Sequence, residues 1–253
     1  RVAAQTAKQI VVQRVKEAEK QSISGEFQDK DGELMVGTLS REDQKNYFVD
    51  LGRASGILPK DQIIPGEKLE MGSSVKVYVS KLEIGPKGPF IMLSRSHYGF
   101  VKRLLEIEIP ELSDGTIMLY SVARDAGSRS KIAVYTEYTN VDPIGAVIGE
   151  KGRRIANVLK ELSGEKIDVI LYDKDPVKFI ANALSPAKDV KVSIKDETKK
   201  EALALVNDKN LSLAIGKKGQ NVKLASRLTH YKIEVKPEEQ ENTETTEETS
   251  VEE

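Results

Sequence analysis

The sequence predicts a multidomain α+β protein: a helix, then a small five-stranded β-barrel, then two consecutive α/β domains. Three observations indicate this order. Apolar residues recur at helical spacing up to about residue 20, and beyond it short segments alternate apolar and polar side chains, as strands do. One phrase, Ile-Gly-x-Lys-Gly, then occurs twice, at 148–152 and 215–219, each time before a helix-like and a strand-like stretch.

Composition excludes several classes of site and protein. The 253 residues contain no Cys, which excludes disulfides and thiolate metal sites. No apolar run approaches the roughly 20 residues that a membrane-spanning helix needs, and no signal-peptide pattern is present. We therefore expect a cytoplasmic protein with no membrane contact. Because the chain begins at Arg1 within a helical pattern and not at Met, we also expect a fragment of a longer protein.

Charge is distributed unevenly along the chain. Residues 237–253 hold eight of the 40 acidic residues and no Lys or Arg, so the rest of the chain carries 39 basic against 32 acidic groups, a formal net charge of +7. This acidic tail is rich in Thr and has no aromatic residue, which predicts disorder. The basic body predicts a polyanionic partner.

The predicted barrel consists of short alternating segments separated by Gly and Pro. The five strands are Ser22–Phe27, Leu34–Leu39, Tyr47–Leu51, Val75–Leu82 and Phe90–Arg95. So many short strands within about 75 residues favour a small closed barrel.

Each copy of the repeated phrase contains a Gly-x-x-Gly loop. Glycine lets the backbone turn tightly and approach a ligand, and the N-terminus of the following helix offers unpaired N–H groups and a positive dipole end. Such a loop is suited to hold a phosphate backbone. A third match, Gly85–Gly88, lies between two alternating segments and is interpreted as a hairpin turn.

Basic side chains surround both loops, although cations at a helix N-terminus oppose its dipole. They are Lys151, Arg153 and Arg154 in the first loop and Lys217, Lys218 and Lys223 in the second. An anionic partner explains this placement; the alternative is that long basic side chains simply extend into water. Glu150 in the first loop predicts that the second loop holds phosphate more strongly.

Both loops are embedded in the same order of predicted elements: helix, two strands, helix, loop, helix, strand. The first copy begins with a helix at Tyr98–Ile109, which Pro110 ends, and the second with a helix near Pro176–Leu184. Strands are predicted at 116–122, 131–136 and 166–169 in the first copy and at 190–194, 201–206 and 232–235 in the second.

The barrel segment resembles an S1-type OB fold. The resemblance is carried by Tyr47–Gly52, Gly56–Pro59, Gly72–Val77 and Leu93–Arg95. OB folds bind single strands by stacking bases on exposed aromatic side chains beside a basic groove. This implies that Phe27, Phe48, Arg95 and His97 contact RNA. For Phe27 and Phe48 the alternative is a place in the barrel core.

The two α/β domains resemble type II KH domains, the bacterial type, in which the Gly-x-x-Gly loop clamps about four nucleotides and the bases lie against an apolar groove. The resemblance implies that the loops and their neighbours hold RNA. The predicted RNA-binding residues are Ile148, Gly149, Lys151, Gly152, Arg153, Arg154, Ile215, Gly216, Lys217, Lys218, Gly219, Gln220, Asn221 and Lys223, together with Phe48, Arg95 and His97.

The order helix, S1, KH, KH is similar to that of the NusA family of bacterial transcription factors. Further short stretches carry the same resemblance: Ala4–Gln9, Ile109–Glu111, Arg129–Val134 and Asp142–Ala146. It covers about residues 1–236. The implied domains are 1–20, a helix from the end of a missing N-terminal domain; 21–96, S1; 97–172, first KH; 173–236, second KH; and 237–253, the disordered tail.

Family membership implies a function and partners. A NusA-like factor binds nascent single-stranded RNA and RNA polymerase, the latter mainly through the missing N-terminal domain, and modulates pausing, termination and antitermination. Other Nus factors are further implied partners. We expect a monomer that is not an enzyme and needs no cofactor or metal.

Two other classes also carry KH or S1 modules. A ribonuclease of the polynucleotide phosphorylase type places one KH domain before its S1 domain and has a catalytic core. Here His97 and His230 have no Ser or Cys partner, and Asp173 and Asp175 are interpreted as a loop and helix cap before Pro176. A ribosome-associated KH protein is the third possibility, which sequence alone leaves open.

Overall fold

The computed structural model describes residues 2–85 and 88–238. The chain forms two compact units, one up to Tyr172 and the other from Asp173 onward. Most of the predicted disordered tail lies outside the described residues. Within the described ranges, no helix has both the length and the apolar character needed to cross a bilayer.

The first helix, α1 (Val2–Gln28), is longer than predicted, and Phe27 is its buried residue. The predicted strand at Ser22–Phe27 is therefore wrong. Ile23 and Phe27 fit a strand's alternation, but they are also four residues apart, which places them on one face of a helix. Both side chains pack against the barrel core.

Five strands form a closed barrel in the order β1-β2-β3-β5-β4. They are β1 (Leu34–Glu42), β2 (Asn46–Asp50), β3 (Ser55–Pro59), β4 (Ser74–Gly85) and β5 (Gly88–Ser94). The prediction misses β3 because Gly56 and Pro59 are typical of turns. Gly56 is required by packing, since a Cβ there would lie 2.3 Å from Leu93 Cδ1. Antiparallel pairing of β4 with β5, up to Gly85 opposite Gly88, confirms the predicted hairpin.

The first α/β domain has a three-stranded sheet covered by helices. Its elements are α2 (Tyr98–Glu108), α3 (Pro110–Ser113), β6 (Met118–Asp125), β7 (Arg129–Tyr135), α4 (Pro143–Ile148), α5 (Arg153–Glu161) and β8 (Lys166–Leu171). In the order β6-β7-β8, the first pair is antiparallel and the second parallel. Phe100, Ile132 and Val158 lie in its core.

The second α/β domain repeats this arrangement. Its elements are α6 (Pro176–Ala183), β9 (Lys191–Asp196), β10 (Glu201–Val206), α7 (Asp208–Ile215), α8 (Gln220–Thr229) and β11 (Lys232–Pro237). The central strand β10 again pairs antiparallel with the strand before it and parallel with the strand after it. The predicted fold class, a five-stranded barrel followed by two α/β domains, is confirmed.

A buried ion pair within the first α/β domain also contacts the segment that leaves the barrel. The Arg124 guanidinium donates to the Glu165 carboxylate, with Nη2 2.9 Å from Oε2, and both side chains are fully enclosed. Arg124 Nη1 also donates to the carbonyls of Arg95 and His97, in the connection that leaves the barrel. Ser130 Oγ and the Gly127 amide donate to the remaining lone pairs of Glu165. A fully hydrogen-bonded buried pair of this kind is costly to break.

Candidate nucleic-acid interface

The two Gly-x-x-Gly loops have the same backbone conformation. The φ/ψ angles are 75/173° and 75/171° at Gly149 and Gly216, 51/28° and 53/28° at Lys151 and Lys218, and 73/15° and 74/15° at Gly152 and Gly219. In each loop the amide of the second glycine donates to the carbonyl of the first, at 3.1 Å. The repeated phrase therefore encodes one loop structure, used twice.

The two glycines of each loop are needed for different reasons. A Cβ on Gly149 would lie 2.6 Å from Arg154 Cγ, and one on Gly216 would lie 2.7 Å from Asn221 Cβ, so the first glycine is packed tightly. A Cβ on Gly152 would meet nothing within 4 Å. The second glycine is required only for its left-handed backbone, and its open side leaves room for a ligand.

A lysine stands in the left-handed region in each loop, at Lys151 and Lys218. This conformation costs a non-glycine residue about 1 kcal/mol or more. Both side chains are exposed at the tip of the loop. The same strained position is occupied by the same cationic residue in both copies, which favours a function for the charge.

Positive charge gathers around both helix N-termini. Lys151 and Arg153 are exposed at the first loop, and Lys217, Lys218 and Lys223 at the second. Neither α5 nor α8 has an acidic residue in its first turn. The N-cap residue of each is a glycine, which has no side chain to accept a hydrogen bond from the first amides. The helix dipole and the basic side chains therefore add, which makes each loop a suitable site for a phosphate. Glu150, also exposed, lowers the charge of the first loop.

Two predicted RNA contacts are engaged inside the protein. Arg154 Nη1 donates to Glu111 Oε2 at 2.8 Å and to the Ala146 carbonyl at 2.9 Å. Asn221 is 1% exposed, so the prediction that it contacts RNA is wrong. Gln220, beside it, is half-buried at the start of α8.

Apolar side chains border both loops. Ile148 ends α4 and is 37% exposed, and Ile215 ends α7 and is half-buried, as base contacts at a groove edge require. Leu213, also on α7, is 46% exposed, but it lies two positions before Ile215 and therefore on a different face of the helix.

The aromatic candidates of the barrel have separate environments. Phe27 is 4% exposed and belongs to the barrel core, which confirms the alternative for this residue. Phe48 is half-buried, and the guanidinium of Arg41 lies 4.0 Å from its ring centroid. Arg41 thus covers one face of the ring on which a base was expected to stack. The role of Phe48 in RNA binding stays a prediction.

Arg95 was predicted to line an RNA groove and is instead buried. It is 4% exposed, its Nε donates to Glu67 Oε2 at 3.0 Å, and Nη2 pairs with Glu67 Oε1. Nη2 also lies 3.3 Å from the carbonyl of Glu161, the last residue of α5. This prediction is wrong, because the carboxylate that neutralises Arg95 lies 28 positions away in sequence and is not visible from the local pattern.

His97 caps a helix. Its Nδ1 accepts a hydrogen bond from the Gly99 amide at 3.0 Å, and its ring stacks on Tyr78 with centroids 4.8 Å apart. Burial, together with the nearby Arg124, lowers its pKa below the usual 6.5.

The nine-residue helix α5, about 13 Å long, has the first loop at its start and contacts Arg95 at its end. Arg95 and the loop thus lie at opposite ends of α5.

No group of His, Asp and Glu in the described part of the chain is arranged to hold a metal ion. His230 is exposed in a left-handed conformation at the end of α8. Asp175 caps α6, accepting from the Val177 amide, as predicted. The chemistry available at the loops is the binding of anionic groups.

Comparison with known proteins identifies both α/β domains. Residues 95–172 match the NusA-like first KH domain, and residues 176–243 match the NusA-like second KH domain. Three similar curated proteins all carry the name "Transcription termination/antitermination protein NusA".

The relatives align over nearly the whole chain. The protein of Halalkalibacterium halodurans is 49% identical over 238 residues, covering 94% of this chain and 62% of the relative. That of Bacillus subtilis is also 49% identical over 238 residues, with coverage of 94% and 64%. That of Mycobacterium tuberculosis is 44% identical over 244 residues, with coverage of 93% and 70%. The chain spans less than two thirds of the length of the first two. The barrel, the paired KH domains and this identity show that the chain belongs to the NusA family.

Proposed function

We propose that this chain is an RNA-binding part of a NusA-family transcription factor, which holds nascent single-stranded RNA and so modulates pausing, termination and antitermination by RNA polymerase. The observation that carries the proposal is the pair of loops. The two loops have the same strained backbone conformation. Each has exposed cations at the N-terminus of a helix that no side chain caps. A packing role alone does not call for these exposed cations.

In this proposal the phosphates lie on the open side of each second glycine, Gly152 and Gly219. The lysines at the loop tips neutralise the phosphates, and the apolar edges formed by Ile148 and Ile215 receive the bases. Phosphate contacts dominate the affinity of such complexes. The half-buried ring of Phe48, with the exposed Arg41 beside it, is a further contact for the RNA.

The second loop is the stronger clamp. Its two variable positions are Lys217 and Lys218, a charge of +2, whereas Glu150 and Lys151 of the first loop cancel. Lys223 adds another exposed cation in the first turn of α8.

The partners follow from family membership. We propose that RNA polymerase and other Nus factors are partners of the whole protein. This chain acts as a monomer in the cytoplasm. Its domains are the S1 barrel at 21–96 and the KH domains at 97–172 and 173–236. The names of the relatives give no support to a ribonuclease appendage or a ribosomal protein.

The test is a charge reversal with a matched control. Lys217→Asp with Lys218→Asp places acidic groups in the second loop. Lys199→Asp with Lys200→Asp makes the same charge change at the other end of α8, where Lys200 lies over Tyr231 and its carbonyl accepts from the Lys232 amide. Each pair contains one left-handed lysine, Lys218 or Lys200, so the backbone cost is matched.

Affinity for a single-stranded RNA is measured by fluorescence anisotropy at several salt concentrations. For the unaltered protein, log K is expected to fall with log salt at a slope near −0.7 for each phosphate neutralised. The loop variant is expected to bind at least about tenfold more weakly with a shallower slope, and the control to bind nearly as the unaltered protein does. Equal losses in both variants would contradict a site at the loop.

A further inference from the structure

The residue five positions after the first glycine has the same task in both loops, although it is Arg154 in one and Asn221 in the other. Each side chain lies against the first glycine of its own loop, at the distances that forbid a Cβ there. Each also donates to a carbonyl of the helix that precedes the loop. Arg154 Nη1 reaches Ala146 at 2.9 Å, and Asn221 Nδ2 reaches Ala214, also at 2.9 Å.

These carbonyls belong to the last turns of α4 and α7, where helix acceptors have no intrahelical partner. Each side chain therefore ties the helix after the loop to the helix before it. It also holds both helix ends to a third segment of its domain. Arg154 donates to Glu111 in α3, and Asn221 Nδ2 donates at 3.1 Å to the carbonyl of Leu184, which follows α6.

The buried amide of Asn221 is not fully satisfied. Its Oδ1 is enclosed and has no hydrogen-bond partner in the described part of the chain, while its Nδ2 donates twice. A buried polar atom without a partner destabilises the folded state. The two bonds that Asn221 donates nevertheless hold the segments that flank the loop, at Ala214 and Leu184.

We infer that Arg154 and Asn221 are positioning residues, which hold the two Gly-x-x-Gly loops in the RNA-binding conformation without touching RNA themselves. This inference rests on the proposed function, since it assigns the contacts that support that site. The glycine, the strained lysine and the anchor then form one unit, in which the anchor resists relaxation of the left-handed backbone.

For the first loop, removal of the anchor's acidic partner separates positioning from direct contact. Glu111→Ala leaves the charge of Arg154 intact and removes one of its two acceptors, so that only the Ala146 carbonyl remains. If Arg154 bound phosphate directly, freeing its guanidinium and deleting a nearby negative charge would strengthen RNA binding. If Arg154 positions the loop, Glu111→Ala weakens binding by about three- to tenfold, the effect of one charged hydrogen bond. Glu108→Ala is the matched control, because it deletes an equal charge and one hydrogen bond to α5, at Asn157, without removing an acceptor of Arg154.

For the second loop, Asn221→Ala removes both donated bonds. The control is Thr229→Val, which removes a buried hydrogen bond to the Ala225 carbonyl at the opposite end of the same helix. RNA affinity and thermal stability are measured for both. A general loss of stability moves the melting temperature in both variants, whereas a positioning role lowers RNA affinity, by about tenfold, only in Asn221→Ala.

Two results would overturn the inference: tighter RNA binding by Glu111→Ala than by Glu108→Ala, or unchanged RNA affinity of folded Asn221→Ala. The Lys217→Asp, Lys218→Asp variant is measured in parallel. If that variant loses affinity while Asn221→Ala does not, the loop binds RNA and the positioning role fails. If neither changes affinity, the proposed RNA site itself fails.

Discussion

The two Gly-x-x-Gly loops differ in charge and in anchor but not in backbone. Their φ and ψ angles agree within about 2° at each glycine and at the strained lysine. The first loop carries Glu150 and is anchored by a partly exposed Arg154 paired with Glu111. The second carries two lysines and is anchored by a buried amide.

This comparison separates what forms the loop from what makes it bind. The shared features are two glycines, a left-handed lysine and a side chain that ties the flanking helices. Since Arg and Asn both serve as that tie, the hydrogen bonds to the preceding helix matter more than the chemical type of the side chain. The variable charge at Glu150 and Lys217 is then expected to set the affinity of each copy for an anion.

The largest expected effect comes from the first glycine of the second loop. In Gly216→Ala the new Cβ would meet the Asn221 backbone N at 2.8 Å in addition to needing a positive φ. We expect a loss of about 3 kcal/mol in the unfolding free energy of this domain, measured by hydrogen exchange. Gly219→Ala has the same φ but only Lys223 Cε nearby, at 3.8 Å, and should cost about 1 kcal/mol. Equal costs would contradict the tight packing of the first glycine.

The next largest effect is expected when the charges of the two loops are exchanged. Glu150→Lys gives the first loop the charge of the second, and Lys217→Glu does the reverse. Each reverses one charge, so RNA affinity should rise about three- to tenfold in the first variant and fall by a similar factor in the second. Titrations over a range of salt concentrations measure both. If Glu150→Lys left affinity and salt slope unchanged, the first loop would not contact phosphate.

A smaller effect is expected at Lys218, where a substitution should raise the stability of the domain and lower its affinity for RNA. Lys218→Gly removes the strain of a left-handed lysine and should stabilise the domain by about 1 kcal/mol. It also removes a cation, so the salt slope should become shallower by about 0.7. Lys200→Gly is the control, because it relieves the same strain without loss of a loop charge. Thermal denaturation and RNA titration of both variants would show whether the two quantities move in opposite directions.

The smallest effect on the loops is expected from His97. Its pKa is lowered by burial and by Arg124, so below about pH 6.5 the unfolded chain takes up a proton that the folded chain does not. Stability should therefore fall as the pH drops from 7.5 through 6.5, and His97→Asn, which keeps a capping oxygen, should reduce this fall. Since His97 caps α2 and belongs to neither loop, the substitution should leave RNA affinity unchanged. Urea unfolding and anisotropy at several pH values test both parts.

Domains and loops that depend on a local sequence pattern could be predicted. Contacts with residues that are distant in sequence could not. Glycine spacing and the repeated order of elements were sufficient to predict two similar α/β domains, because those signals lie within short segments, and the resemblance to KH domains supplied their type. Arg95 was misread because Glu67 and the end of α5 enclose it only after folding. Phe27 was misplaced because its spacing from Ile23 suits both a strand and a helix. Asn221 looked like a polar surface residue, and only the carbonyls of Ala214 and Leu184 show why an amide is buried there.

The central claim is that both loops bind RNA with one backbone geometry and unequal strength. Amide chemical shifts recorded by NMR during titration with a short single-stranded RNA test it most directly. We predict shifts at Gly149–Gly152 and at Gly216–Gly219, with the second set saturating at lower RNA concentration. Shifts confined to the barrel, or absent from both loops at saturating RNA, would contradict it.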